Sequence, residues 1–216
     1  MVNDSTSKIL VIAIVIAIIA VGVGTGLFAA YFMTSEVSGG IVHTKSGGEK
    51  VYSLVLVIVA GAHWNNTATA PRYYIMTTAG LDSSANITIP SNTLIKLTII
   101  NYDSSTPLPA QYAIVSGTVG NIVYLYNTTS TENLTNQNVE RVSTMNATWE
   151  VSHTFTVTQL GLNIPVAGSS IEVANFYVNQ TGNFNWQCED PCGFGPTGWL
   201  GAMATPGWMT GNLIVT

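Results

Sequence analysis

Short runs rich in Val, Ile, Thr and Tyr follow one another along most of this 216-residue chain, separated by Asn, Gly, Pro and Ser. β-Branched and aromatic residues suit a pleated sheet, whereas the separating residues favour turns. After residue 33 no apolar run has the spacing of an amphipathic helix. We therefore predict an all-β sandwich or barrel. The predicted strands cover residues 51–59, 73–78, 85–89, 94–101, 112–116, 122–126, 153–157, 170–178, 182–187 and 211–215.

A long apolar segment precedes these runs, because residues 9–33 contain no charged side chain. At about 1.5 Å per residue, a helix of this length spans the roughly 30 Å apolar layer of a bilayer. The segment is longer than the apolar core of a signal peptide. We expect a cytoplasmic N-terminus over 1–8, one uncleaved transmembrane helix over 9–33, a linker over 34–50 and a single domain over 51–216.

Six Asn-x-Ser/Thr acceptor sites for glycosylation follow the apolar segment. Such sites are used on exported domains, so their placement favours an extracytoplasmic domain anchored in the cell membrane by one helix. The candidate glycosylation sites are Asn65, Asn86, Asn127, Asn133, Asn146 and Asn179.

The composition excludes several classes of function. Only six Lys and Arg residues are present and the net charge is -5, so no basic surface can neutralise nucleic-acid phosphates. Neither a Ser-His-Asp set, a Gly-rich phosphate loop nor an acidic metal cluster is recognisable. The sequence therefore does not predict an independent hydrolase or nucleotide enzyme.

Two segments near the end of the chain carry a more specific pattern. Residues 151–161 form a predicted strand with one histidine, His153, and residues 182–193 form an aromatic strand that continues into Cys188-x3-Cys192-Gly193. This pattern resembles subunit II of the haem–copper oxidases, whose cupredoxin domain holds a dinuclear copper centre, CuA. Residues 87–99 are similar to the early strands of that domain. The resemblance implies a cupredoxin-like Greek-key fold, with residues 102–149 as an exposed insertion.

The resemblance also implies a set of copper ligands. His153 matches the first histidine of the family, and Cys188 and Cys192 match its two bridging cysteines. Asp190 occupies the position whose backbone carbonyl is a ligand. If the following loop contains an insertion, Met209 matches the methionine.

One ligand of the family is missing. The position of the second histidine holds Pro196, or Pro206 if the loop is longer, so we expect that an intact CuA is absent and that this chain binds no cofactor. Two cysteines on an exported domain commonly form a disulfide, here between Cys188 and Cys192. Free thiols and a degenerate copper site are the alternatives.

The resemblance implies a subunit II-like component of an archaeal-type terminal oxidase, of the quinol-oxidising kind, that is not catalytic by itself. Its partners would be the haem-bearing subunit I, which would hold haem and copper, other membrane subunits and membrane lipid. The first alternative is a membrane-anchored copper electron carrier resembling sulfocyanin, with His153, one cysteine and Met209 on copper. The second is a glycosylated surface or pilus protein.

Overall fold

The computed structural model describes residues 40–44, 48–59, 71–129, 138–190, 192 and 201–216. The predicted cytoplasmic N-terminus and transmembrane helix lie outside these residues. Within the described ranges, no helix has the length and apolar character needed to cross a membrane.

The described residues form strands joined by turns and short 3₁₀ segments. The 3₁₀ segments are Ala110–Ala113, Val119–Asn121 and Thr158–Leu160. The strands are β1 (Gly40–Thr44), β2 (Lys50–Val59), β3 (Arg72–Thr77), β4 (Gly80–Ser83), β5 (Asn86–Ile89), β6 (Leu94–Asn101), β7 (Val123–Tyr126), β8 (Glu140–Val142), β9 (Val151–Val157), β10 (Leu162–Ala167), β11 (Ser170–Tyr177), β12 (Gly182–Gln187) and β13 (Thr210–Val215).

These strands belong to two sheets. The eight-stranded sheet has the order β4-β3-β2-β6-β11-β7-β8, with β1 also paired to β2, and the five-stranded sheet has the order β10-β9-β12-β13-β5. The β2–β6 and β13–β5 pairs are parallel, whereas the other pairs are antiparallel. Because parallel neighbours need a crossover connection, the chain passes between the sheets instead of forming a simple meander. The predicted all-β architecture is confirmed.

The core lies between the two sheets, because alternate side chains of each strand point to the same side. In the eight-stranded sheet, Tyr52, Leu54, Leu56 and Ile58 of β2 are almost fully buried. They belong to the same apolar cluster as Phe155 and Trp186 of the five-stranded sheet, among others. The Tyr52 hydroxyl also donates a hydrogen bond to the Thr88 carbonyl at 2.9 Å, which joins β2 to the segment that forms β5.

The region predicted to be an exposed insertion, residues 102–149, is part of the sandwich where it is described. β7 pairs with β11, and β8 pairs with β7, so both strands extend the eight-stranded sheet. The prediction of exposure was wrong because some of the apolar side chains of this region face the core, although others, such as Trp149, are exposed. Those that are buried are Leu108, Ala113, Val115, Val123, Leu125, Val142 and Met145.

Several local predictions also differ from the structure. The predicted linker contains β1, which pairs with β2, and the predicted strand at 112–116 overlaps the 3₁₀ segment Ala110–Ala113. β4, β8 and β10 were not predicted. β4 and β8 are very short, and β10 contains Pro165, which cannot donate to a strand ladder. The proline is tolerated because β10 is an edge strand of its sheet.

The predicted glycosylation sites fall on the surface where they are described. Asn86, Asn127, Asn146 and Asn179 are exposed, whereas Asn65 and Asn133 lie outside the described residues. Glycosylation itself stays a prediction.

Candidate metal centre

Two neighbouring strands of the five-stranded sheet bring the predicted ligands together. His153 lies on β9, on the same side as Val151, Phe155 and Val157, which belong to the core. β12 pairs with β9 through Gln187 and Thr156, so the loop that follows β12 begins beside His153. The first residue of that loop is Cys188. Sheet pairing therefore joins the two sequence motifs.

The side chains of His153, Cys188 and Cys192 converge at one buried point. The Nδ1 atom of His153 lies 3.0 Å from Sγ of Cys192 and 3.9 Å from Sγ of Cys188. The two sulfur atoms are 3.0 Å apart. The three residues are 2%, 0% and 4% exposed, so water is excluded from the cluster. We call these three residues the Cys–His cluster.

The cysteines are free thiols in the structure. The backbone N–H of Thr154 donates a hydrogen bond to Sγ of Cys188 at 3.3 Å, which holds this sulfur against β9. The disulfide between Cys188 and Cys192 stays a prediction for oxidising conditions.

The two remaining predicted site residues border the cluster through their backbones. The carbonyl oxygen of Asp190 lies 3.8 Å from Sγ of Cys188 and accepts a hydrogen bond from the N–H of Cys192 at 2.7 Å. Met209 is fully buried, and its carbonyl accepts a hydrogen bond from the N–H of Cys188 at 2.8 Å. The loop between β12 and β13 therefore begins and ends at the same place, because its first residue, Cys188, is hydrogen-bonded to its last, Met209.

Two residues that the sequence analysis missed reach the cluster from the loop after β6. Oδ2 of Asp103 lies 3.2 Å from Nε2 of His153, and the Thr106 hydroxyl donates a short hydrogen bond to Oδ2 of Asp190. The other carboxylate oxygen of Asp190 is buried without a partner among the described residues. No local pattern could have identified Asp103, because it is 50 residues from His153 in the sequence.

The turn between β10 and β11 holds this loop in place. The N–H of Ser169 donates to the carbonyl of Asp103 at 2.9 Å, and the N–H of Thr106 donates to the carbonyl of Val151 at 2.9 Å. The Ser105 hydroxyl donates to the carbonyl of Glu150 at 3.0 Å. The position of Asp103 is thus set by packing at one edge of the sandwich.

The electrostatics of the cluster favour an ion pair. Burial lowers the pKa of His153, but hydrogen bonds with Asp103 and Cys188 outweigh it and raise this pKa to about 9. Burial raises the pKa of Cys188, yet hydrogen bonds from Cys192 and His153 hold it well below its ordinary value. Burial and the neighbouring Cys188 raise the pKa of Cys192. The directions of these pKa shifts favour a thiolate at Cys188 beside a protonated His153, with Cys192 keeping its proton.

The donor atoms suit a soft metal ion. Thiolate and imidazole ligands favour Cu(I) and Zn²⁺ over the hard cations that bind carboxylates. Among the described residues, the Cys–His cluster is the only group of three or more His, Cys, Asp or Glu side chains whose ligand atoms all lie within 4.8 Å of one another. His43 is on β1 and outside that group, and His63 is outside the described residues. Among the described residues only one imidazole faces the two sulfurs, and this donor set fits a single soft ion.

Aromatic side chains lie beside the cluster. The Tyr73 ring is 6.4 Å from the His153 ring and 5.2 Å from the Trp186 ring, and Trp186 stacks on Phe155 at 5.5 Å. Trp186 is fully buried, so it packs in the core and does not contact a partner directly.

No protein-family model and no curated protein matches this chain. Among solved structures, it is similar to the periplasmic domain of subunit II of cytochrome oxidase (CoxB) of Bradyrhizobium japonicum, with 12% identity, 76% of this chain and 83% of that chain covered, and a TM-score of 0.33. This chain is also similar to rusticyanin from Thiobacillus ferrooxidans, with 16% identity and a TM-score of 0.34. The similarity covers 82% of this chain and 86% of rusticyanin.

A chain of a heme-copper terminal oxidase dimer is also similar, with 12% identity, coverage of 98% of this chain and 95% of that chain, and a TM-score of 0.33. All three similarities are weak in sequence and in superposition. The description of the fold therefore rests on the sheet pairing of this chain itself.

Proposed function

We propose that this chain is a subunit II-like component of a membrane terminal oxidase of the quinol-oxidising kind. In this role the β sandwich is cupredoxin-like, lies outside the membrane and covers the outer face of the haem-bearing subunit. The chain itself catalyses no reaction. The predicted segment at 9–33 anchors it beside its partner.

The Cys–His cluster carries this proposal. The histidine strand and the Cys-x3-Cys loop, which resemble the copper site of oxidase subunit II, meet at one buried point in the structure. Only one imidazole faces the two sulfurs among the described residues. A dinuclear relay for electrons from a soluble carrier is therefore incomplete, whereas a quinol donor in the membrane does not need an outer copper relay.

Native purification tests the proposal. The full-length chain, isolated from its own membranes in a mild detergent, should co-purify with a haem-bearing subunit. The complex should oxidise a quinol and reduce oxygen, and it should oxidise a reduced soluble c-type cytochrome slowly or not at all. A preparation without haem-bearing partners would contradict the proposal, and so would a complex that prefers the soluble cytochrome.

A membrane-anchored copper electron carrier is the second candidate, because the three soft ligand atoms lie within 4.8 Å and are shielded from water. This function requires copper that cycles between two oxidation states on the isolated chain. A strong visible thiolate-to-copper band in the oxidised chain, without any haem partner, would favour the carrier over the oxidase subunit.

A further inference from the structure

We propose that Glu172, on the eight-stranded sheet, is a positioning residue for the Cys–His cluster and makes the orientation of the His153 ring depend on pH. Among the described residues, its carboxyl group has no hydrogen bond to the cluster. Glu172 acts through the turn between β10 and β11 and through Asp103, which that turn holds in place. Neither a metal ion nor a partner subunit is needed for this role.

An irregularity in β9 lies next to His153. The register of β9 and β10 shifts by one residue between Val166 and Ala167, so β9 has one extra residue, Ser152. Such a bulge commonly changes the direction of a neighbouring side chain. The N–H of Ala167 donates a hydrogen bond to Oε1 of Glu172 at 2.6 Å. The carboxyl group of Glu172 therefore supplies the acceptor for a backbone donor at the bulge.

The turn after β10 is joined to the loop that contains Asp103. The carbonyl of Ala167 accepts hydrogen bonds from Nδ2 of Asn101 and from the Ser170 hydroxyl, both at 2.8 Å. Oδ1 of Asn101 accepts from the N–H of Asp103 at 3.0 Å. The N–H of Ser169 donates to the carbonyl of Asp103 at 2.9 Å. Both backbone groups of Asp103 are thus held by residues of the turn or by a residue bonded to it.

Close packing couples this turn to the loop after β6. A Cβ atom on Gly168 would lie only 2.8 Å from the backbone nitrogen of Ser105, so the two backbones are in direct contact. A displacement of the turn therefore displaces the loop. Since Oδ2 of Asp103 lies 3.2 Å from Nε2 of His153, the series of contacts that begins at Glu172 ends at the imidazole ring.

The surroundings of Glu172 oppose a negative charge. Glu172 is fully buried, and Oε2 has no partner among the described residues. Its neighbours on β6 and β7, Ile99 and Leu125, are apolar. The titratable groups that face it are Glu150, before β9, and Tyr73 of β3, whose pKa burial raises well above its ordinary value. Ionisation of Glu172 is thus disfavoured by burial and by the carboxylate of Glu150.

The charge of Glu172 biases the turn between a closed and an open state. Burial raises the pKa of Glu172 from 4.5 to about 8 in the closed state, against the hydrogen bond from Ala167, whereas water restores an ordinary pKa in the open state. Between these two pH values the open state, which releases the proton to solvent, becomes more favourable as pH rises. Opening withdraws Asp103 from His153, so the ring loses the contact that orients it.

Nuclear magnetic resonance of the full-length chain in detergent tests this inference at two positions. The ring N–H of His153 that faces Asp103 is observed directly and is assigned by its loss in His153→Gln. Hydrogen exchange of the Ser169 N–H, which donates to Asp103, reports closure of the turn. Between pH 5 and pH 8 the protection factor of Ser169 should fall by at least about tenfold, because one pKa unit corresponds to a factor of ten. The ring resonance should lose intensity over the same range.

Glu172→Gln separates the charge from the shape of the side chain. Its amide oxygen can still accept from the N–H of Ala167 but does not ionise, so the ring resonance and the protection of Ser169 should stay constant from pH 5 to pH 8. Glu172→Leu removes the acceptor and should lower the protection of Ser169 by at least about tenfold throughout. The N–H of Asn92, before β6 and far from this turn, should keep its protection in both variants.

Glu140→Gln is the matched control, because Glu140 is exposed on β8. It should keep the pH dependence of the unchanged chain. Two results would overturn the inference: a response to pH in Glu172→Gln equal to that of Glu140→Gln, or a folded Glu172→Leu with unchanged ring resonance and Ser169 protection. The pH comparison decides the matter even where Glu172→Leu does not fold. Neither result depends on whether a haem-bearing subunit co-purifies.

Discussion

Nε2 of His153 lies 3.2 Å from Oδ2 of Asp103, and this contact joins the Cys–His cluster to the loop after β6. The Asp103 side chain is 21% exposed. It is therefore more accessible to solvent than Cys188 and Cys192, the other side chains that contact His153 through hydrogen bonds. The contact sets the orientation of the imidazole ring. Asp103 is therefore a positioning residue for any ion bound by the cluster.

Asp103→Asn should weaken Cu(I) binding by about 10–100-fold, because an amide orients the imidazole less firmly than a carboxylate does. The copper-free variant should remain folded but unfold at a lower denaturant concentration than the unchanged chain, because it loses the charged partner that holds the pKa of His153 high. Anaerobic titration of the chain with Cu(I), in competition with a coloured Cu(I) chelator, measures the change in affinity. Asp82→Asn, at an exposed position of β4, is the control. Equal affinity in both variants would exclude a positioning role for Asp103.

Glu172 should make stability depend on pH. Burial raises the pKa of this carboxyl group from 4.5 to about 8, although a hydrogen bond from the N–H of Ala167 opposes the shift. Since the folded-state pKa lies above the unfolded value, the favourable contribution is complete below about pH 4.5 and is lost as pH rises through about 8. At about 1.4 kcal/mol per pKa unit, the loss is on the order of 5 kcal/mol.

Glu172→Gln removes this ionisation, so its free energy of unfolding should fall less between pH 4 and pH 9 than that of the unchanged chain. Denaturant unfolding across this range measures the difference. Glu140→Gln, at an exposed position of β8, should keep the original pH dependence. If the free energy of unfolding falls equally with pH in Glu172→Gln and in the unchanged chain, Glu172 does not titrate as expected.

Asn163 should hold the 3₁₀ segment Ala110–Ala113 and the residues after it against β10. Its amide donates to the carbonyls of Tyr112 at 3.0 Å and Ile114 at 2.7 Å, and its oxygen accepts from Thr156 at 2.6 Å. Asn163→Leu removes these three hydrogen bonds, although the Thr156 hydroxyl keeps its contact with the Thr154 hydroxyl at 2.9 Å. The loss costs about 1–3 kcal/mol for each group that is left unpaired and that water cannot reach.

Hydrogen exchange provides the local measurement for this variant. The N–H of Val115, which donates to the carbonyl of Ser143, should exchange faster in Asn163→Leu. Asn183→Leu, at an exposed position of β12, should leave that exchange unchanged. Unchanged protection of Val115 in Asn163→Leu would mean that other contacts hold this segment.

Trp186 should contribute strongly to stability. It is fully buried, stacks on Phe155 and donates from Nε1 to the carbonyl of Ser84 at 3.1 Å. Trp186→Ala should cost about 3–5 kcal/mol through the cavity it leaves. Trp186→Phe keeps an aromatic ring but leaves the Ser84 carbonyl unpaired, so it should cost about 1–3 kcal/mol.

Trp149→Phe is the control for this pair, because Trp149 is 67% exposed. It should change the free energy of unfolding by less than about 0.5 kcal/mol. Denaturant unfolding monitored by circular dichroism applies to all three variants. An effect of Trp186→Ala as small as that of Trp149→Phe would contradict the assigned core role.

The strands with clear alternation were predictable, because alternation depends on neighbouring residues. The bounds of β6 and β12 agree with the prediction, and β2 differs by one residue. β1, β4 and β8 were missed because they are short and polar or Gly-containing. Their strand geometry depends on hydrogen bonds to a partner strand, which a local pattern does not contain.

Sequence alone determined the all-β class and two components of the site. Cys188 and Cys192 are four residues apart in one loop, so their proximity follows from local chain geometry, and the position of His153 on a strand follows from local preference. Tertiary structure alone decided that Asp103 contacts His153, that Glu172 is fully buried and that the described part of residues 102–149 contributes to the core. These features depend on which strands pair across long sequence separations, and pairing is set by burial of the whole sandwich.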